Sequence, residues 1–87
     1  MPLVTETPPA VLPHDELIQA LVFSPDGAWL ATAGANGMLK LWDARSGTLK
    51  AKLGGHYGSV YGLDFASDSK HFVSAGSDRT VRMWNVS

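Results

Sequence analysis

Three histidines, His14, His56 and His71, are the residues of this 87-residue chain best suited to acid–base or metal chemistry. His56, Ser74 and Asp78 also supply the residue types of a nucleophilic triad. Two features argue against that chemistry. Matching residue types recur 42 positions earlier, and each set stands beside a tryptophan whose indole N–H needs an acceptor when buried. An acyl-transfer serine also needs a strained, exposed turn such as Gly-x-Ser-x-Gly and an oxyanion hole, and the chain has no such elbow. For a metal, His14 and His56 are equivalent points of a repeat rather than neighbours, and no His/Asp/Glu group has ligand spacing. Cysteine is absent, which excludes disulfides, a thiolate zinc site and a cysteine nucleophile. No catalytic residue, metal or cofactor is expected.

The elements that would position these residues follow from the repeat. His14–Arg45 aligns with His56–Ser87 without a gap, at a period of 42. Identical pairs are His14/His56, Leu21/Leu63, Phe23/Phe65, Asp26/Asp68, Ala33/Ala75, Gly34/Gly76 and Trp42/Trp84. Conservative pairs lie between them, among them Ile18/Val60, Thr32/Ser74, Asn36/Asp78, Leu39/Val81, Leu41/Met83 and Asp43/Asn85. A period of about 40–45 is that of propeller blades. Short apolar runs bounded by turn residues predict strands at Ile18–Phe23, Trp29–Ala33, Met38–Trp42, Thr48–Leu53, Val60–Phe65, His71–Ala75 and Thr80–Trp84. Ser24-Pro25-Asp26-Gly27 reads as one turn. Asn36-Gly37 reads as a favoured two-residue hairpin pair, because both residues can take positive φ.

On these residues the chain resembles the WD-repeat β-propellers, from about His14 onward. Trp42-Asp43 is the name-giving dipeptide and Trp84-Asn85 its near relative; Gly55-His56 matches the family's Gly-His pair, whereas Pro13-His14 lacks the glycine. The resemblance implies an all-β fold of two four-stranded antiparallel blades, part of a closed ring. It divides the chain into a leader (1–13), a first repeat (14–53) and a second (54–87) without an outer strand of its own. It also implies a structural tetrad in each blade: His14, Thr32, Asn36 and Trp42 in the first, and His56, Ser74, Asp78 and Trp84 in the second. Asn36 brings no charge, so the first network is expected to be the weaker. Tyr57 and Tyr61, near where the family often binds ligands, are candidate partner contacts. Trp29 is read either as packing between blades or as a partner anchor, and Arg79 as a solvated loop residue.

Two blades leave two apolar faces uncovered, and repeat architectures generally need three or more units. The chain is therefore expected to pair head-to-tail with copies of itself, as a trimer or tetramer of six or eight blades. Residues 1–39 carry −4 and residues 40–87 carry +3, which suits such pairing. Leu3–Thr5 or Ala10–Leu12 could donate an outer strand to a neighbouring copy. The expected function is a non-catalytic protein-interaction scaffold. The alternative is a structural fragment, or the C-terminal portion of a larger or engineered WD-repeat protein, with no binding role of its own. A formal charge of −1 argues against bulk binding to nucleic acid or anionic membrane. With no spanning-length apolar stretch and no basic signal region, a cytoplasmic location is expected.

Overall fold

A computed structural model describes residues 12–14 and 17–86. Seven strands run through them: β1 Ile18–Phe23, β2 Trp29–Gly34, β3 Leu39–Asp43, β4 Thr48–Leu53, β5 Val60–Phe65, β6 His71–Gly76 and β7 Val81–Asn85. They pair antiparallel in sequence order, as a four-stranded sheet β1-β2-β3-β4 and a three-stranded sheet β5-β6-β7. This is the expected all-β, blade-like architecture, not closed into a ring by this chain alone. Among the described residues nothing pairs beyond β7. The expected donor strands Leu3–Thr5 and Ala10–Leu12 lie outside the described residues, Leu12 excepted.

The two sheets repeat even in their irregularities. Pairing shifts between Ile18 and Ala20 in β1 and between Val60 and Gly62 in β5. Gln19 and Tyr61 are thus the extra residues of equivalent bulges, and a bulge re-aims its side chain out of the regular ladder.

The turns correct one expectation. At Asn36-Gly37 only Gly37 takes positive φ, at 85°. Gly37 N–H donates to Gly34 C=O (3.2 Å) and Gly34 N–H to Met38 C=O (2.9 Å), the pattern of a three-residue loop closed by a left-handed residue. Met38 therefore closes the loop opposite Gly34, and β3 starts at Leu39. The sister turn repeats both bonds, with Arg79 in the left-handed place at φ 68°. The first hairpins differ likewise: Gly27 (φ 75°) in one blade, Ser69 (φ 59°) in the other.

The core lies between the sheets. Ala31, Ala33, Leu39 and Leu41 of the first sheet pack against Val60, Phe65 and Phe72 of the second. Burying a large aliphatic or aromatic side chain contributes about 1.5–3 kcal/mol, so this seam holds one sheet on the other. Polar bonds at either end fix its register. Ser59 Oγ donates to Ala35 C=O (3.4 Å), and Asp26 N–H donates to Ser69 Oγ (3.1 Å).

Candidate functional site

The second sheet carries a continuous hydrogen-bonded relay across two strands and two loops. Trp84 Nε1 on β7 donates to Ser74 Oγ on β6 at 2.9 Å. Ser74 Oγ lies 2.7 Å from His56 Nε2, and His56 Nδ1 lies 3.1 and 3.2 Å from the Asp78 carboxylate oxygens. The direction follows from the groups. Indole only donates, so Ser74 accepts; its single proton then goes to Nε2, and the Nδ1 proton faces Asp78. This assigns the tautomer from the network.

Asp78 gathers further donors from Tyr57 N–H (3.0 Å), Thr80 N–H (3.1 Å) and Thr80 Oγ1 (2.8 Å). Burial alone would raise its pKa. The bonds from the Thr80 hydroxyl, the Tyr57 N–H and His56 outweigh that and hold the carboxyl well below the usual carboxylate range. The relay clamps the loop before β5 onto the β6–β7 turn. Ser74 is fully buried and its oxygen accepts the indole N–H, so it is not presented as an exposed nucleophile. Among the described residues no three His, Cys, Asp or Glu side chains group as metal ligands.

The first sheet holds the matching arrangement in part. Trp42 Nε1 donates to Thr32 Oγ1 at 2.9 Å, and His14 Nε2 lies 2.6 Å from the same oxygen. Asn36 Oδ1 accepts the Met38 N–H at 3.1 Å, in the manner of Asp78 and Thr80 N–H. Met38 has no hydroxyl to match Thr80.

Sequence reasoning missed two supports. Thr80 was unmarked because its counterpart is Met38. The Gly34/Gly76 pair was visible as an identity but had no assigned role. A Cβ on Gly76 would lie 2.7 Å from His56 Nδ1 and 3.0 Å from Asp78 Oδ1, so the glycine makes room for the relay.

The candidate contact residues fall at two ends. Tyr57 and Tyr61 are exposed near the His56–Asp78 end, Tyr57 with its backbone pinned by Asp78 and Tyr61 on the β5 bulge. Trp29 is half-buried at the seam between the sheets, with Lys50 Nζ 5.8 Å from its ring centroid. The structure does not bring Trp29 together with the tyrosines: it starts β2, at the β1–β2 turn, whereas they adjoin the β6–β7 turn.

The family model described as WD domain, G-beta repeat matches residues 6–43 and 47–85. The chain belongs to the WD-repeat family. WD-repeat proteins are generally protein-interaction scaffolds and typically not enzymes. The matched WD-repeat segments group β4 with β5–β7, whereas hydrogen bonding places β4 beside β3. Each outer strand is thus read with the following repeat but pairs with the preceding blade. Among WD-repeat relatives, the chain is 38% identical over 76 residues to WD repeat-containing protein 1 of Xenopus tropicalis, covering 84% of this chain and 12% of that protein. It is 37% identical over 75 residues to Actin-interacting protein 1 of Drosophila melanogaster, with the same shares. It is 40% identical over 57 residues to DDB1- and CUL4-associated factor 13 of Dictyostelium discoideum, covering 66% of this chain and 13% of that protein.

Proposed function

We propose that this chain is a two-blade unit of a protein-interaction propeller whose free faces pair head-to-tail with further copies, giving a trimer or tetramer of six or eight blades. One observation carries the proposal. The two free faces are the 42-residue equivalents of the two faces already buried against each other. Val60 and Phe65 are 0% and 8% exposed, and their counterparts Ile18 and Phe23 are 49% and 56% exposed. Leu39 and Leu41 are 0% and 3% exposed, and their counterparts Val81 and Met83 are 67% and 78% exposed. A surface shaped like the seam's donor side therefore lies on one end, and one like its acceptor side on the other. Apolar patches of this kind mark interfaces, and heterologous contacts close into rings when the rotation allows.

A second reading has the further blades in the same polypeptide. It is favoured by the relatives, of whose length this chain spans about 12%. Light scattering on the purified chain separates the two. Three or four times 9.3 kDa is expected for the homo-oligomer; a folded 9.3 kDa monomer overturns it and leaves the second reading.

The scaffold would present Tyr57 and Tyr61 to a protein or peptide, since their backbone is held by the Asp78 network and the β5 bulge while their rings are exposed. Rigid aromatics at low entropy cost are frequent binding anchors. Unchanged recovery of a bound protein after Tyr57→Ala and Tyr61→Ala together would count against this end of the molecule.

A further inference from the structure

We propose that the cleft at the seam between the two sheets, with Trp29 as its aromatic wall and Lys50 and Lys70 on its flanks, binds an acidic peptide segment that carries an apolar side chain. The cleft has a volume of about 350 Å³ and is lined by Trp29, Lys50, Ser69, Lys70 and Val86. Both of its walls come from this chain, Trp29 and Lys50 from the first sheet and Ser69, Lys70 and Val86 from the second.

The walls are held in place. Val86 N–H donates to Lys70 C=O at 2.8 Å, which fixes the chain after β7 onto the β5–β6 turn. Ser69 is buried and left-handed, and its hydroxyl accepts the Asp26 N–H from the other sheet. A non-glycine residue held in this conformation marks a backbone that its surroundings over-determine.

The charges are unspent. Among the described residues, neither Lys50 Nζ nor Lys70 Nζ makes an ion pair or a hydrogen bond, and Lys50 rests over the Trp29 ring. The neighbouring carboxylates are engaged elsewhere. Asp26 takes the Ser24 hydroxyl (2.6 Å) and the Ala28 N–H (3.0 Å). Asp43 takes the Arg45 and Ser46 N–H groups (2.9 and 3.2 Å). Asp68 takes the Lys70 N–H and the His71 ring (2.9 and 2.8 Å). Two lysines therefore line an apolar cleft, and neither ammonium group has an ion-pair or hydrogen-bond partner among the described residues.

A carboxylate between the lysines, with an apolar side chain against Trp29 and Val86, satisfies both features at once. An oligonucleotide could also stack on Trp29 and meet the lysines. With a formal charge of −1 the chain lacks the strongly basic balance that drives phosphate-backbone binding, so a peptide is the better match.

The test uses the full chain, isotopically labelled, titrated with the peptide acetyl-Glu-Phe-Glu-Leu-Glu-amide. Saturable shifts are expected at the Trp29 indole N–H and at the amides of Ser69, Lys70 and Val86. Lys50→Glu with Lys70→Glu should weaken binding at least about tenfold, the equivalent of about 1.4 kcal/mol. Lys50→Arg with Lys70→Arg should keep it, which controls for any loss of fold. The proposal is overturned by the absence of saturable shifts, by equal affinity for the same peptide with Gln in place of Glu, by indifference to the charge reversal, or by tighter binding of an oligothymidylate. The site goes beyond the scaffold reading. Tyr57→Ala with Tyr61→Ala should leave this titration unchanged, so failure here and failure at the tyrosine end are separately visible.

Discussion

Asp78 and Asn36 occupy one position of the repeat and differ by a charge, and the structure shows what the charge is for. Asp78 accepts from a histidine ring, two backbone N–H groups and a hydroxyl, and its carboxyl is held well below the usual range. A carboxyl with a lowered folded-state pKa contributes stability that is present above its unfolded pKa, near 3.9, and is lost as pH falls through the folded value. Asp26, Asp43 and Asp68 are lowered too, chiefly by the Ser24 hydroxyl, the Ser46 N–H and the Lys70 N–H respectively. The protein should therefore lose stability below about pH 4. Asp78→Asn should lower the unfolding midpoint at pH 7, and its deficit against the parent chain should shrink as pH falls below about 4. An equal deficit at pH 3 and pH 7 would refute the charge's role. The relay's four members were legible through the resemblance to the WD-repeat family, whose tetrad residue types stand at His56, Ser74, Asp78 and Trp84. Thr80 was not, because its contribution depends on a hydroxyl that Met38 lacks, and only coordinates place it 2.8 Å from Asp78.

Among the elements, the strands were the most legible part, because alternation and turn residues bound them on both sides. Their ends moved by a residue where the turn closes differently. Asn36-Gly37 signals a tight hairpin, but the backbone uses a longer loop with a single left-handed residue. The same loop form places Arg79 where glycine would be unstrained. A left-handed L-residue costs roughly 1–2 kcal/mol, partly offset by the greater unfolded-state freedom of glycine. Arg79→Gly should therefore raise stability by up to about 1 kcal/mol, read from the denaturant midpoint at unchanged slope. A fall instead would mean that the Arg79 side chain makes a stabilising contact. Ser69 is a contrasting case. Its hydroxyl holds the Asp26 N–H of the other sheet, so Ser69→Gly should gain less than Arg79→Gly, a comparison made in the same assay.

For the whole molecule, the two sheets share one buried seam and expose its two equivalents, which ties stability to association. If copies cover those faces, the unfolding temperature rises with protein concentration, because only the folded state binds. Met83→Glu, on the face equivalent to Leu41, should abolish that dependence and return the mass to that of a single chain while the strands remain. A concentration-independent midpoint in the parent chain would argue for the same-polypeptide reading. The 42-residue period, the turn chemistry and the paired Trp-Asp and Trp-Asn motifs by themselves determined an all-β pair of blades, because local alternation and repetition are written in residue order. The tertiary structure alone decided that Thr80 and Gly76 complete the Asp78 relay. It also decided that Lys50, Lys70 and Trp29 meet across the seam, and that Tyr61 stands on a bulge. Those facts depend on how separate strands approach one another in space, and such distances are set by packing rather than by position along the chain.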